Sequence, residues 1–408
     1  MNNKKSLVAA FALLVCGQAL AQSSNPFVDG TAAAPDEWLL VKKGRPWWYE
    51  TKPASTPVQL QKRTPTAVEQ AIIDRARALM TNRPAKAFAL VDGDAVLYSE
   101  FKTPADADSV FFGFSMGKTV SAMAVGQAVC DGKIKFETKA NELVPELTGK
   151  ALGNATVRDL LRMASGAAEP NADSTVWTPD QFKEWNRGNL NLVNLVADDR
   201  VAKAAKGVFS DFKPGEAFAY KSSDPILLGI MVSRSTGMPW SQWIQEKILN
   251  PMGAAKSGLY VQDRQQNGLS ASGLSMRMED WIRFGLWVKR SSKESGCFGN
   301  FVRAATTTQI TNGTSPATRK MGKMFGGYGY MTWTENSVAP HTAWASGWGG
   351  QRISWHHHSD RMVVVFSNVE NWMPEVYELA KDWNAIAAQV VAVKPAVRSV
   401  PFAATTSN

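Results

Sequence analysis

The chain has 408 residues, of which 44% are hydrophobic and 20% are charged. This composition can bury one large core or two linked ones, and it excludes a chain that is disordered over most of its length. The 45 Lys and Arg residues outnumber the 36 Asp and Glu residues. Because the basic residues are scattered, we expect a solvated surface and no nucleic-acid partner.

Residues 1–21 have the pattern of a secretory signal peptide. Lys4 and Lys5 precede an apolar segment, and Ala19-Leu20-Ala21 supplies small residues for cleavage before Gln22. The apolar segment is too short to span a bilayer. We therefore predict a periplasmic or secreted protein without stable membrane insertion after cleavage; a membrane anchor is the alternative.

Export would place Cys130 and Cys297 in an oxidising compartment, where a disulfide is permitted. Cys130 ends a long apolar run that is typical of a buried helix. A small buried side chain with a free thiol is the simpler interpretation. We expect that state, and the disulfide is the alternative.

Strand patterns at both ends of the chain enclose a mainly helical middle. Residues 22–64, rich in Pro, Ala, Thr and Ser, predict an extended arm. Apolar spacing predicts a helix over 66–80, and strand-like runs on either side of Asp92-Gly93-Asp94 predict a hairpin. Further helices are predicted over 157–163, 181–196, 225–235, 240–248, 280–288 and 374–390, and strands over 328–334, 342–345, 352–355 and 362–366.

This order of elements predicts an α+β fold in which both ends of the chain build one sheet. We assign residues 65–138 and 300–395 to an α/β sheet domain. Residues 139–299 would form a mainly helical insertion domain, and residues 396–408 a C-terminal tail. A site for a small molecule is expected in the cleft between the two parts.

The clearest chemical signal lies at Ser115. A strand-like run ends at Gly113 and apolar residues then continue at helical spacing, so Ser115 is predicted to start a buried helix. Unpaired backbone N–H groups at a helix start would stabilise a developing oxyanion there. Lys118 follows within one turn, where its amine can reach the Ser115 hydroxyl. Ser115 is therefore a candidate nucleophile and Lys118 a candidate base.

Two other motifs overlap this stretch. Gly113-Phe114-Ser115-Met116-Gly117 fits the nucleophile elbow of α/β-hydrolases, which would need a downstream acid and a histidine such as His341. Residues 112–119 also resemble a phosphate loop, but Gly113 lies one residue too close to Gly117-Lys118-Thr119. We do not expect ATP binding, and the Ser-His-Asp alternative stays open.

Two further stretches accompany Ser115 and Lys118. Tyr220-Lys221-Ser222 follows a Pro-Gly turn, and Ala345-Ser346-Gly347 places a glycine where a strand lets backbone approach a ligand. With these three motifs the chain, from about residue 65 to 390, resembles the serine hydrolases of the β-lactamase and penicillin-binding-protein superfamily. It is most similar to the class C-like branch, which includes family VIII carboxylesterases and 6-aminohexanoate-dimer hydrolases.

The resemblance implies a β-lactamase-like fold, with an antiparallel sheet flanked by helices, and acyl transfer through a covalent serine ester. Ser115 would attack a carbonyl carbon, Lys118 would accept the serine proton, and Tyr220 would pass it to the leaving group. Backbone N–H groups of Ser115 and of Trp348, which follows Gly347, would bind the oxyanion. If His341-Thr342-Ala343 aligns with the family's Lys-Thr-Gly motif instead, the second donor is Trp344.

Two departures from the family pattern bear on the substrate. Ala345, or His341 in the other register, stands where Lys-Thr-Gly carries a cation, and Ser222 stands where Tyr-x-Asn carries an amide. Both changes remove polar contacts to a β-lactam or a D-Ala-D-Ala peptide. We therefore expect an ester or linear-amide substrate, with Ser222 as a candidate contact. The alternatives are a β-lactamase, a D-Ala-D-Ala peptidase, or a catalytically silent, ligand-binding member of the fold.

No cofactor is expected, and the oligomeric state is left open. His356-His357-His358 is predicted to form a solvated turn, not a metal site, because consecutive strand residues point to opposite faces. Trp177 and Trp185 are candidates for an aromatic rim of the substrate pocket.

Overall fold

A computed structural model of the chain describes residues 36–83, 85–167, 181, 184–185, 187–202, 213–312, 324–368 and 373–391. The predicted signal peptide, the C-terminal tail, Trp177 and part of the predicted helix over 181–196 lie outside these ranges. The described residues form an α+β fold, as the order of elements predicts.

The helices and strands are numbered separately in chain order. The helices are α1 (Asp36–Leu39), α2 (Ala67–Asn82), α3 (Met116–Cys130), α4 (Ala140–Leu143), α5 (Val157–Leu161), α6 (Leu192–Ala197), α7 (Asp199–Ala202), α8 (Ser223–Thr236), α9 (Trp240–Ile244), α10 (Met278–Ser291), α11 (Cys297–Ala305) and α12 (Met373–Val391). The strands are β1 (Tyr49–Glu50), β2 (Gln61–Lys62), β3 (Ala85–Asp92), β4 (Ala95–Phe101), β5 (Val110–Phe112), β6 (Leu259–Tyr260), β7 (Leu274–Arg277), β8 (Ile310–Thr311), β9 (Phe325–Tyr328), β10 (Trp333–Asn336), β11 (Thr342–Gly347), β12 (Gln351–His356) and β13 (Arg361–Ser367).

Nine strands of the described chain form the main sheet, in the order β2-β4-β3-β13-β12-β11-β10-β9-β8. Neighbouring strands pair antiparallel, except that β2 runs parallel to β4. The central pair joins opposite ends of the chain, with Leu90 of β3 opposite Val363 of β13. A smaller sheet, in the order β1-β6-β7-β5, includes the strand that leads to Ser115. The predicted domain boundaries stay a prediction.

Residues at the ends of some elements explain where those elements begin. Thr66 caps α2, since its hydroxyl accepts from the Glu69 N–H at 3.3 Å while the Glu69 carboxylate accepts from the Thr66 N–H at 2.8 Å. Glu69 also pairs with Arg361 of β13 at 2.6 Å, and both side chains are buried. One prediction is wrong: the strand expected over 328–334 is divided into β9 and β10 by a reversal in which Met331 takes a φ of 52°.

Helix α3 lies at the centre of the packing. Its residues are buried from Met116 to Gly126, which agrees with a sequence that is apolar on every face. Gly126 lets the Phe301 ring of α11 lie against the helix, where a Cβ would clash. A Cβ on Gly117 would lie 3.0 Å from the Cα of Ser272, so the backbone of that loop also lies against the helix. No described helix combines the length and the apolar character needed to cross a bilayer.

Cys130 and Cys297 form a disulfide, with their Cα atoms 5.7 Å apart. The bond joins the end of α3 to the start of α11. Our expectation of a free, buried thiol is wrong, because Cys130 is only partly buried and lies beside the exposed Cys297. Our predicted elements do not include helix α11, which carries Cys297 to the end of α3.

Replacing both cysteines, as Cys130→Ser with Cys297→Ser, is expected to lower the free energy of unfolding. The bond spans 167 residues, and chain entropy gives about 5 kcal/mol for a loop of that length, with about 2–5 kcal/mol usually found. Denaturant unfolding, followed by tryptophan fluorescence, should separate the variant from the oxidised wild type but not from the reduced one. Equal midpoints for variant and oxidised wild type would contradict this expectation.

Candidate active site

Ser115 and Lys118 lie side by side at the start of α3. Strand β5 ends at Phe112, the chain reverses, and Ser115 is the residue that precedes the first turn of the helix. The Nζ atom of Lys118 lies 3.0 Å from the Oγ atom of Ser115. The contact expected between these two side chains from their spacing is therefore present.

Contacts of Gly113 and Phe114 fix the chain reversal before Ser115. Phe114 has a φ of 45°, a left-handed conformation that costs a non-glycine residue about 1–2 kcal/mol. The Gly113 N–H donates to the Leu274 carbonyl at 3.1 Å, and a Cβ on Gly113 would clash with the ring of Trp281. The Phe114 ring packs edge-on against Phe112, with ring centroids 4.6 Å apart. These contacts hold the serine where the strand and the helix meet.

The amine of Lys118 lies among neutral oxygen atoms in a site that is only 2% exposed. Besides Ser115 Oγ, the carbonyl oxygen of Ala271 lies 3.3 Å from Nζ, and the Oγ atom of Ser222 lies 3.4 Å from it. An ammonium can donate to all three oxygens. A neutral amine can donate to Ala271 and Ser222 while its lone pair accepts the Ser115 proton. The same three oxygens therefore suit both protonation states of the amine.

Tyr220 flanks the amine. The Nζ atom of Lys118 lies 4.9 Å from the centre of the Tyr220 ring, which stacks on Trp333 with ring centroids 5.1 Å apart. Tyr328 stands perpendicular to the Tyr220 ring at 6.3 Å, and burial raises the pKa of the Tyr328 phenol well above its usual value. The structure thus brings Ser115, Lys118 and Tyr220 together from two distant parts of the chain.

The end of β11 lies beside the serine. Gly347 approaches the Gly113 carbonyl so closely that a Cβ would clash with it, and Trp348 packs edge-on against Phe114 at 5.4 Å. Arg352 donates to the Gly347 carbonyl at 2.6 Å and so holds the end of the strand. This placement supports the register in which Ala345-Ser346-Gly347 replaces the family's Lys-Thr-Gly. Trp344 is instead fully buried, with its indole N–H bonded to Thr342.

The histidines cluster at the other end of the β11–β12 hairpin. His341 precedes β11 and lies about 20 Å along that strand from Gly347, and its ring is 5.2 Å from that of His358. Burial, and then the neighbouring positive groups, lower the pKa of His356 to about 4. This distance removes His341 from reach of Ser115 and disfavours the Ser-His-Asp alternative. Within the described part of the chain, no group of three or more His, Cys, Asp or Glu residues is arranged to hold a metal ion.

The Ala271 carbonyl near Lys118 was not predicted, because a backbone oxygen leaves no trace in the type of residue that carries it. Trp185 is buried in the hydrophobic core, and its place on a pocket rim stays a prediction. Ser222 lies next to Lys118, which agrees with its predicted place near the substrate but does not test that role.

Known proteins resemble this chain in sequence and in fold. The family model described as Beta-lactamase matches residues 72–388. Penicillin-binding protein 4 of Amycolatopsis lactamdurans is 29% identical over 199 residues, which are 45% of this chain and 47% of that protein. Penicillin-binding protein 4* of Bacillus subtilis is 23% identical over 39% of this chain and 32% of its own length. The matched stretches thus span about a third to a half of these curated relatives.

Solved structures show the same fold at low identity. A protein assigned as a 6-aminohexanoate-dimer hydrolase of Bacillus anthracis superposes with a TM-score of 0.64 at 15% identity, covering 91% of this chain and 96% of that one. EstCE1, described as a hydrolase with promiscuous acyltransferase activity, gives a TM-score of 0.59 at 12% identity, covering 77% and 98%. Since the family model matches most of the length of this chain, the chain belongs to the Beta-lactamase family of serine hydrolases.

Proposed function

We propose that this protein is an exported serine hydrolase that cleaves an ester or a linear amide through a covalent acyl-serine intermediate. One observation carries the proposal: the Lys118 amine lies 3.0 Å from the Ser115 hydroxyl in a buried site, with the Tyr220 ring beside it. A nucleophile and a base within hydrogen-bond distance are the minimum that acyl transfer to serine requires.

In the proposed reaction, Ser115 Oγ attacks the carbonyl carbon of the substrate while the neutral Lys118 amine accepts the hydroxyl proton. Tyr220 passes a proton to the leaving alcohol or amine, which departs and leaves an ester on Ser115. Water then attacks the ester, and the same groups return a proton to Ser115 Oγ as the acid product leaves. No histidine takes part, in agreement with the distance of His341 from this site.

The negative oxygen of the tetrahedral intermediate would be bound by the N–H groups of Ser115 and Trp348. Their segments are in contact, because Gly347 lies against Gly113 and the Trp348 ring lies against Phe114. Loss of one such donor typically costs about 3 kcal/mol of transition-state stabilisation.

The surroundings of the serine favour an ester or linear amide over a β-lactam. Ala345 is fully buried and supplies no cation at the edge of β11, whereas Phe112, Phe114 and Trp348 give the site an aromatic side. β-Lactamase or D-Ala-D-Ala peptidase activity is the second candidate, favoured by the penicillin-binding names of the curated relatives.

Export is supported by two independent features. Residues 1–21 have the composition of a signal peptide, and the Cys130–Cys297 disulfide suits an oxidising compartment. We place the mature protein in the periplasm or outside the cell.

A fluorophosphonate probe should label the mature protein at Ser115, and Ser115→Ala should abolish the labelling. Lys118→Met should lower ester turnover roughly 10²- to 10⁴-fold, because it removes the amine that lies 3.0 Å from the Ser115 hydroxyl, whereas His341→Ala should change it less than about twofold.

Turnover of a short p-nitrophenyl ester, 6-aminohexanoate dimer and a chromogenic cephalosporin then ranks the substrate classes. A folded but unlabelled wild type would favour a silent, ligand-binding member of the family, and preferred turnover of the cephalosporin would favour the second candidate.

Gly347→Ala tests the proposed oxyanion site. The added methyl would clash with the Gly113 carbonyl and push the Trp348 N–H away from Ser115, so kcat for the ester should fall about 100-fold. Gly326→Ala on β9 is the matched control, since its methyl would meet chiefly the flexible end of Glu335, at 2.9 Å. Equal kcat values for the two variants, with both folded, would remove Trp348 from the proposed mechanism.

A further inference from the structure

Tyr220 and Ser222 lie in a segment without regular structure. Residues 218–221 belong to no helix or strand, and α8 begins only at Ser223. Among the backbone bonds that hold this segment, the Ala219 N–H donates to the Met163 carbonyl at 2.8 Å. Because no strand ladder fixes the register here, the position of the Tyr220 ring depends on what the side chains of the segment contact.

Lys221, between these two residues, anchors the segment to the neighbouring loop over 163–167. Its side chain is 2% exposed, and its Nζ atom donates to the Ala167 carbonyl at 2.7 Å and to the Ser165 Oγ at 3.1 Å. The Tyr220 ring and the Ser222 hydroxyl, on either side of Lys221 in the sequence, both lie beside the Lys118 amine. Lys221 therefore holds the segment that carries them through a separate set of contacts.

A buried carboxylate completes the anchor. The Ser165 hydroxyl accepts from Lys221 and donates its proton to the Asp224 carboxylate at 2.7 Å. Asp224 is fully buried in the first turn of α8. Burial raises the pKa of the Asp224 carboxyl, and the positive charge of Lys221 opposes that rise. Lys221, Ser165 and Asp224 thus form a buried hydrogen-bond network beside the proposed catalytic segment.

We propose that Lys221 is a positioning residue, which sets the place of Tyr220 relative to Lys118 and Ser115 through the Ser165–Asp224 network. The proposal rests on the function proposed above. It assigns a role to the middle residue of Tyr220-Lys221-Ser222 that the motif itself leaves open. A shift of about 1 Å in a group that transfers a proton can cost as much as 100-fold in rate, so loss of the anchor should act on turnover rather than on substrate affinity.

Lys221→Met is the direct test, because it keeps the length of the side chain and removes its charge and its donors. We expect kcat for a p-nitrophenyl ester, measured per site titrated with the fluorophosphonate probe, to fall roughly 10- to 100-fold, while KM changes less than about threefold. Ser165→Ala, which removes one acceptor of Lys221, should lower kcat in the same direction by a smaller factor. If Lys221→Met does not fold, the kcat of Ser165→Ala tests the proposal in its place.

Arg361→Met is the matched control. Arg361 is also a buried cation bonded to a carboxylate, at 3% exposure, but it lies at the start of β13, about 20 Å along that strand from the end nearest the site. It should lower the melting temperature while kcat per titrated site stays within about twofold of the wild type. If the wild type is active and the Lys221→Met and Ser165→Ala variants both keep its kcat per site, the positioning role of Lys221 is overturned and the proposed function stands. An unlabelled wild type would instead overturn the function on which it rests.

Discussion

The 3.0 Å contact between the Lys118 amine and the Ser115 hydroxyl is the constraint that the surrounding structure must satisfy. A buried amine is costly unless oxygen atoms surround it. Two of those oxygens come from distant parts of the chain, at Ser222 and Ala271. Helix α3 must therefore lie at once against the loop that carries Ala271 and against the start of α8. The position of the amine thereby determines how these three parts of the protein pack.

Close backbone approach is what makes this packing possible. Gly117 lets the backbone at Ser272 touch α3 one residue before Lys118. Further along the helix, the Ser121 hydroxyl binds the same region by donating to the Ser270 carbonyl at 2.6 Å. On the other side of the serine, Gly347 allows β11 to touch Gly113. Side chains at these two glycines would separate the very segments that the site needs in contact.

The parts of the fold and of the site that were predictable are those with a local cause. Ser115 and Lys118 lie within one helical turn, so their contact follows from spacing alone, and Thr66 marks the start of α2 through a local capping box. Tyr220 was identified by its resemblance to a family motif, but its distance from Lys118 depends on how α3 and the segment before α8 pack. The Ala271 carbonyl and the Cys130–Cys297 bond arise only from tertiary packing, which residue types in one chain do not specify.

The described residues include two buried lysines near the proposed site, Lys118 and Lys221, and their neighbours favour different roles for them. The amine of Lys118 faces oxygens of two hydroxyls and one carbonyl, which can hold either a neutral or a charged amine. Lys221 donates to the Ala167 carbonyl and belongs to a network that runs through the Ser165 hydroxyl to the buried Asp224 side chain. A lysine surrounded by neutral oxygens is suited to exchange a proton with a serine. A lysine bonded within such a network is suited to hold a segment in place, which is why we assign proton transfer to Lys118 and positioning to Lys221.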